Sequence, residues 1–248
     1  MKNIVLLTGM LFLAQILSAQ NATRQVQRKN SIKLDLTSYY LYRNALSLSY
    51  ERITTPHQSF AISAGYQEFP RTRSLGDSIT VREDRQTSGY KFALEYRFYL
   101  KKENKYAAPR GIYIGPYVAY HNFKSERLIE VMNDGTLEQA ILNSKLTIFN
   151  VGFELGCQFL IKNRWTIDLV LIGPAISNYK YTLGISGNYT FNVEDIENEI
   201  VRDMIDNFPL LEEAIDENEA TTGGRLDAWS YGYRYQLLIG YHFGRQKK

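Results

Sequence analysis

Hydrophobic and polar residues alternate most regularly near the end of the chain, over residues 229–243. The odd positions there are apolar or aromatic and include four tyrosines, whereas the even positions are polar or glycine except for Leu238. A period of two places the two sets of side chains on opposite faces of a β-strand. The stretch therefore predicts a strand with one polar face and one apolar face that is rich in tyrosine, a ring suited to a membrane interface.

The same alternation recurs seven times earlier in the chain. It predicts further strands within residues 32–37, 46–51, 60–67, 90–100, 111–123, 149–162 and 165–181. Short connections are expected at 40–44, 54–58, 101–110 and 163–164, and long polar loops at 70–88, 124–144 and 182–225. Eight strands whose connections alternate in this way are typical of an even-stranded barrel with both termini on the side of the short turns.

Two kinds of closed barrel fit eight strands. A soluble, lipocalin-like barrel turns its apolar side chains inward, but the charged faces of strands four, six and eight argue against burying the opposite, aromatic faces as the core. A run of about 18 apolar residues, as a membrane helix requires, does not occur after the N-terminus. We therefore predict an all-β fold, an eight-stranded antiparallel transmembrane β-barrel that occupies residues 31–248 as one domain.

The N-terminus has the pattern of a secretory signal peptide over residues 1–20. Lys2 is followed by an apolar stretch over 4–17, and cleavage is expected after Ala19. The alternative, a membrane-anchoring helix, is disfavoured because the apolar run is short and ends in small polar residues. Residues 21–30 are polar and basic and predict a flexible lead-in, and the single cysteine, Cys157, excludes an intramolecular disulfide.

Several short motifs resemble a known group of proteins. They are S-L-S-Y-E-R at 47–52, L-E-Y-R-F-Y-L at 94–100, G-I-Y-I-G-P-Y at 111–117, L-I-G-P-A-I at 171–176 and L-L-I-G-Y-H-F at 237–243. Together they resemble the small outer-membrane β-barrel proteins of unknown function found in Bacteroidota-type bacteria, and the strand number resembles the OmpA/OmpX-like barrels. The resemblance implies a cell outer-membrane location with periplasmic termini, and contacts with outer-membrane lipid and with the barrel-assembly machinery. It also implies that Tyr241 and Phe243 belong to the assembly signal.

Ionisable side chains occupy the face of the strands that is expected to point inward. These are Glu51, Glu95, Arg97, Glu154, Asp168 and Arg234. An eight-stranded barrel is only wide enough for side chains, and unpaired charges there are costly. The set therefore predicts a salt-bridged network in the lumen, with a narrow ion or small-solute channel as the alternative.

The loop before the last strand departs from the period of two. Apolar residues recur at helical spacing between 193 and 208, among them Ile200, Met204 and Phe208, and eleven acidic residues lie between 194 and 219. We expect an amphipathic helical insertion over residues 193–220. It either packs on the barrel rim or offers an acidic docking surface for an extracellular protein or for divalent cations.

Candidate catalytic groups are sparse. His57, His121 and His242 are far apart in the expected barrel, and only His121, with Ser125 and Glu126 nearby in sequence, suggests a lipid-active enzyme as an alternative. No ligand spacing indicates a metal site or a cofactor, no basic stripe indicates nucleic acid, and Asp77-Ser78-Ile79 resembles a short glycosylation signal. The sequence thus favours a non-enzymatic barrel with a structural or surface-interaction role.

Overall fold

Eight antiparallel β-strands form a closed ring in the computed structural model, which describes residues 28–68, 79–133, 136–193 and 225–244. The strands follow one another around the ring in chain order. They are β1 (Asn30–Asp35), β2 (Arg43–Thr55), β3 (Gln58–Glu68), β4 (Ile79–Tyr99), β5 (Gly111–Asn133), β6 (Thr136–Ile161), β7 (Trp165–Ser186) and β8 (Arg225–Phe243). The predicted eight-stranded antiparallel all-β ring is confirmed.

The ring is closed by pairing between β1 and β8. Ile32 pairs with Tyr241 of β8, but following the paired residues from Ile32 through β2 to β7 leads to Tyr231 on the same strand. Tyr241 and Tyr231 are ten positions apart, so the register shifts by ten residues per circuit. Such a shift tilts the strands and lets side chains distant in sequence meet at one height in the lumen.

Short turns join the strands at one end of the ring, called the turn end here. They lie at Pro56–His57, at residues 100–110 and at 162–164. In the last turn Lys162 and Asn163 have φ angles of 50° and 57°, and the Arg164 N–H donates to the Ile161 carbonyl at 3.0 Å. The predicted two-residue turn is therefore displaced by one position, because positive φ at both central residues is what lets a hairpin twist close here.

The first strand ends earlier than its alternation predicts. A short helix, α1 (Leu36–Leu41), follows β1 directly, where an outward-facing Leu36 and then a short connection at 40–44 were expected. Asp35 caps α1 by accepting hydrogen bonds from the Ser38 N–H at 3.1 Å and the Ser38 hydroxyl at 2.7 Å. The helix thus lies in the wall of the ring where β1 would otherwise continue away from the turn end.

Strands β4 to β8 are longer than predicted. Of the expected loop at 70–88, residues 79–88 belong to β4, and the expected loop at 124–144 is a continuous hairpin of β5 and β6 with only 134–135 between them. β7 extends to Ser186 and β8 begins at Arg225, which shortens the third expected loop from both ends. The prediction failed because two register shifts interrupt the alternation in β4, and because apolar residues change faces along these strands.

The elongated segments form a second region, called the extension, at the end opposite the turns. It comprises residues 79–89, 123–133, 136–146, 179–186 and 225–229, and residues 187–193 pack against it. Its interior is a hydrophobic core that includes Phe123, Ile129, Leu142 and Leu183. The rest of the ring, called the barrel proper, has the reverse arrangement, with polar side chains inside and apolar ones outside.

Several predicted features lie outside the described residues. These are the signal peptide at 1–20, nearly all of the lead-in at 21–30, Asp77 and Ser78 of the glycosylation-like signal, and the helical insertion after Val193 with Ile200, Met204 and Phe208. β1 begins at Asn30, the last position assigned to the lead-in. Among the helices that the structure does describe, none has the length and apolar character needed to cross a membrane.

Candidate functional site: a charge cluster in the lumen

The structure brings all six predicted lumen charges into the interior of the barrel proper. Five of them, Glu51, Glu95, Arg97, Glu154 and Asp168, are 5 % exposed or less, and the Arg234 side chain is 11 % exposed. They come from β2, β4, β6, β7 and β8, and the strand tilt brings them to neighbouring heights. Together with Lys33 of β1, they are called the lumen cluster below.

Arg97 is the centre of the lumen cluster. Its guanidinium contacts Glu95 and Asp168 at 2.5 Å each and lies 3.4 Å from a Glu154 oxygen, and its Cζ sits 4.4 Å from the centroid of the Tyr113 ring. Arginine suits this place because its planar, always charged fork serves several carboxylates at once and also stacks on an aromatic face. The Arg97 side chain is fully buried, so solvent cannot replace these partners if they are lost.

Lys33 closes the cluster on the β1 side. Its ammonium lies 2.7 Å from Glu51 and 2.5 Å from Asp168, and it donates to the Gln158 amide oxygen at 3.1 Å. Neutral donors serve the remaining lone pairs of the two carboxylates. The Tyr113 hydroxyl donates to Asp168 at 2.7 Å, and the Ser59 and Tyr99 hydroxyls donate to Glu51 at 2.6 and 2.9 Å. These bonds offset part of the desolvation that buried charges suffer.

Arg234 extends the cluster toward the extension. It forms an ion pair with Glu95, lies 3.6 Å from Glu154, and has its Cζ 4.7 Å from the centroid of the Tyr117 ring. Glu154 is the least satisfied member, because both of its oxygens are buried without a hydrogen-bond partner and its two ion pairs measure 3.4 and 3.6 Å. It is also the fourth carboxylate beside the three cations Lys33, Arg97 and Arg234.

A second group of buried charges lies at the junction of β1 and α1. Lys91 of β4 reaches across the lumen to Asp35 at 2.5 Å and to the Ser38 hydroxyl at 2.6 Å. Gln236 of β8 donates to the same Asp35 oxygen at 3.1 Å. One carboxylate therefore caps α1 and joins three parts of the ring.

Sequence reasoning missed several members of this network. Lys33, Asp35 and Lys91 stand at inward positions of the alternation, so their parity along β1 and β4 was the signal that could have found them. Gln158 and Tyr113 also stand at inward positions and are buried. The structure packs the Tyr113 ring over Gly156, where an added Cβ would lie 2.3 Å from the ring. This close approach is why a glycine suits that position.

The other candidate residues do not converge. His121 bonds Gln67 at 2.9 Å and His242 bonds Ser31 at 2.9 Å, while His57 lies in a turn. Ser125 faces the interior and Glu126 points to the other face of β5, as consecutive residues of a strand must. Within the described ranges, His, Cys, Asp and Glu side chains do not gather in threes as metal ligands would.

The two residues of the predicted assembly signal lie at the turn end of β8. The Tyr241 ring packs edge-on against Trp165 with centroids 5.6 Å apart, and its hydroxyl accepts from Arg164 at 3.1 Å. Phe243 points outward and is 37 % exposed, and it pairs with Asn30 at the start of β1. The last strand therefore meets the first strand at these residues.

Paired charges, tyrosines and glutamine fill the lumen from wall to wall at the height of Arg97. These contacts link side chains of β1, β2, β4, β6 and β7 to one another through the interior of the ring.

A comparison with curated proteins finds no match. The model of the family described as "Protein of unknown function (DUF3575)" matches residues 8–202, more than three quarters of the chain, so the protein belongs to the DUF3575 family.

Proposed function

We propose that this protein is an integral outer-membrane β-barrel with a sealed lumen, which holds a rigid folded extension outside the membrane as a surface-interaction platform. The observation that carries the proposal is the reversal of polarity along the strands. Apolar side chains cover the outside of the barrel proper and move to the inside of the extension. A strand that crosses from lipid into water requires this change.

The outer surface of the barrel proper supports the membrane part of the proposal. Large apolar side chains stand exposed there on every strand, among them Ile32, Leu48, Leu94, Ile114, Phe153, Leu171 and Ile239. Soluble monomers rarely expose a contiguous apolar surface of this kind. Because the ring is closed, paired strands satisfy one another's backbone polar groups, as a lipid-facing structure needs, and beside α1 the Leu237 N–H donates to the Thr37 hydroxyl.

Aromatic residues mark both edges of this apolar surface. Near the extension they include Tyr66, Tyr90, Tyr120, Phe149, Trp229 and Tyr231, and near the turn end Tyr96, Phe98, Trp165, Tyr241 and Phe243. Two such girdles are the usual boundary of an outer-membrane barrel with its two interfaces. The expected periplasmic side is the turn end, which carries the short turns.

The lumen cluster supports a sealed barrel over a channel. Arg97, Tyr113 and Asp168 are each fully buried and bonded to one another across the lumen, so an ion would have to break several of these contacts to pass. The structural or surface-interaction role is therefore preferred to conduction. The acidic segment at 193–220, which follows the extension strand β7 in the chain, is the proposed partner-binding element.

Two measurements test the membrane barrel and its seal. Protein refolded in detergent should migrate faster on gels before heating than after it, and should reconstitute into vesicles in a form that alkaline carbonate does not extract. Planar-bilayer recordings should show no steady conductance. A chain that stays soluble without detergent, or a large and stable conductance, would contradict the proposal.

A third measurement tests the platform. Protease added to intact cells should cut only in the segments at the extension end, and deletion of residues 194–220 should leave the heat-dependent migration unchanged while reducing capture of surface partners. Cleavage at Pro56–His57 in intact cells would show the opposite orientation. A matched deletion at the turn end, residues 102–106, controls for the effect of shortening any loop.

A further inference from the structure

A cavity of about 250 Å³ lies in the lumen between the lumen cluster and the core of the extension. Its side toward the cluster carries polar groups from Asp35, Lys91, Arg234 and Gln236. On the opposite side are Tyr42, Ile148 and Tyr179, which belong to the extension core or pack against it. The cavity is therefore charged toward the lumen cluster and mainly aromatic and aliphatic toward the extension, with His121 and Asn150 also on its wall.

Small residues create this space. Ala93 of β4 and Ala119 of β5 pair directly with each other and both line the cavity, as does Gly232 of β8. Gly232 has close neighbours of its own, since an added Cβ would lie 2.0 Å from the Ser177 hydroxyl. At the height of the lumen cluster the equivalent inward positions carry Arg97 and Tyr113, which fill the lumen.

The polar end of the cavity offers hydrogen-bond donors that have no acceptor. Nε and Nη1 of Arg234 are buried without a hydrogen-bond partner, although Glu95 and Glu154 compensate the charge from the cluster side. Among the residues that line the cavity, Lys91 and Arg234 are the cations and Asp35 is the carboxylate. Buried donors of this kind favour a ligand that brings acceptor oxygens.

One wall of the cavity is not a hydrogen-bonded strand. Thr37, Ser38 and Leu41 of α1 line it where a continued β1 would otherwise lie between β8 and β2. Between α1 and the β8 backbone, the bond from the Leu237 N–H to the Thr37 hydroxyl measures 2.8 Å. Tyr39 and Tyr40 of the same helix are 74 % and 87 % exposed. Displacing this helix disturbs far fewer ladder bonds than separating two paired strands.

We propose that the cavity binds a single-chain amphiphile with a carboxylate head, of the medium-chain fatty acid class, and that the ligand enters from the surrounding lipid past α1. The head lies between Lys91 and Arg234, and the chain lies against Tyr42 and Tyr179. The volume is slightly below the range of about 300–1,000 Å³ for drug-sized ligands, so the chain is short. Entry from lipid rests on the proposed membrane location, whereas binding itself does not.

The binding test uses the full chain in a zwitterionic detergent, titrated with decanoate, decanol or decylammonium. Decanoate should bind saturably at one site and at least about tenfold more tightly than decanol, because a charged acceptor gains most from the buried donors. Decylammonium should not bind. Equal affinity for decanoate and decanol, or no saturable decanoate binding, would overturn the proposal.

Variants locate the site. Ala119→Leu fills the cavity and should abolish decanoate binding, whereas Ala64→Leu, on the outer face of β3, should leave it unchanged. Ala93→Val is a milder substitution in the same cavity and should weaken decanoate binding. It serves as the test variant if Ala119→Leu does not fold. Normal binding by both cavity variants would overturn the assignment. Heat-dependent gel migration of each sample reports whether the barrel is folded. A folded barrel that does not bind decanoate contradicts the ligand proposal but not the proposed membrane barrel.

The entry route has its own test. Thr37→Val removes the acceptor of the hydrogen bond that the Leu237 N–H of β8 donates to α1, and should accelerate decanoate uptake from loaded vesicles severalfold, with little change in affinity. Thr54→Val removes a comparable exposed hydroxyl bond at the turn end, to the Gln58 carbonyl at 3.2 Å, and should change neither rate nor affinity. Unchanged uptake by Thr37→Val would overturn the route past α1.

Discussion

The extension continues five of the eight strands of the barrel proper, with opposite polarity. On β5, Tyr113 and Tyr117 point inward in the barrel proper among charged side chains, and Ile129 points inward in the extension among apolar ones. Outward positions change in the opposite sense, from Ile114 to Lys124. One alternating strand can therefore serve two environments without a break, provided that the kinds of residue at odd and even positions are exchanged midway.

The two regions also differ in what their charges do. In the barrel proper, ion pairs such as Arg97–Asp168 are fully buried and span the lumen. On the extension, the Lys180–Asp227 pair is more than half exposed and links neighbouring strands. Buried charges must remain paired, whereas exposed pairs contribute little. The following variants test this contrast.

The largest loss of stability is expected from replacing Arg97, the centre of the lumen cluster. Arg97→Met leaves Glu95, Asp168 and Glu154 buried with fewer partners, and should lower the free energy of unfolding by about 3–5 kcal/mol. Urea titrations followed by heat-dependent gel migration measure this loss. Arg52→Met, on an exposed position of β2, is the matched control and should stay within about 0.5 kcal/mol of the wild type. Equal stability of the two variants would contradict a buried network.

A core truncation in the extension should act locally. Leu142 is 2 % exposed, and Leu142→Ala should destabilise the extension by about 2–5 kcal/mol through the cavity it leaves. Limited proteolysis should then cut within 123–146 while the barrel proper keeps its heat-dependent migration. Leu137→Ala, at a side chain 50 % exposed, should leave the protease pattern unchanged. Loss of both regions together would show that they unfold as one unit.

Lysine substitutions on the outer surface test whether the barrel proper faces lipid and the extension faces water. Ile114→Lys on the barrel proper should cost about 2–4 kcal/mol in a lipid bilayer, because the ammonium faces hydrocarbon. Ile141→Lys, outward on β6 of the extension, should be nearly neutral because it faces water. The measurement is refolding equilibrium in vesicles. Similar costs at the two positions would contradict the proposed membrane boundary.

The smallest effect is expected from pH at the surface of the extension. Hydrogen bonds from Arg82 and Gln139 hold the pKa of Glu130 below its usual value, and those from Lys180 and Asn178 do the same for Asp227. Because the folded pKa is lower than the unfolded one, the stabilisation is present above about pH 4 and is lost as pH falls further. Protease resistance of the extension should therefore decline slightly in acid. In Glu130→Gln the decline should be smaller, and an unchanged decline would contradict the assignment.

The alternation of residues was enough to determine much of this protein. It gave the number of strands, the inward position of Glu51, Arg97 and Asp168, and the two faces of the strands in the barrel proper up to the register shift at Leu171 and Ile172 of β7, which are both exposed. These features follow from local geometry, since successive side chains of a strand point to opposite faces wherever the strand lies. Along an uninterrupted strand, the alternation of inward and outward side chains can therefore be predicted without knowing the neighbouring strands.

The extension and α1 were decided by the tertiary structure. Between residues 124 and 144 apolar residues such as Ile129, Val131 and Leu142 occupy the inward face, so the pattern of the barrel proper is lost there, although Asp134-Gly135 is a hairpin signal. At Asp35 the strand stops because this carboxylate caps α1 and pairs with Lys91, 56 positions along the chain. Neither feature can be recognised without knowing what faces the strand.

The sequence also did not predict which side chains form ion pairs with one another in the lumen. Parity places Lys33, Arg97 and Asp168 inside, but only the register shift of ten residues around the ring brings β1, β4 and β7 to one height there. The pairing of β4 with β5 places Ala93 and Ala119 side by side on the wall of the cavity. The sequence by itself determined which side chains enter the lumen, and the closure of the ring decided which of them meet, because height in a tilted barrel depends on all the strands together.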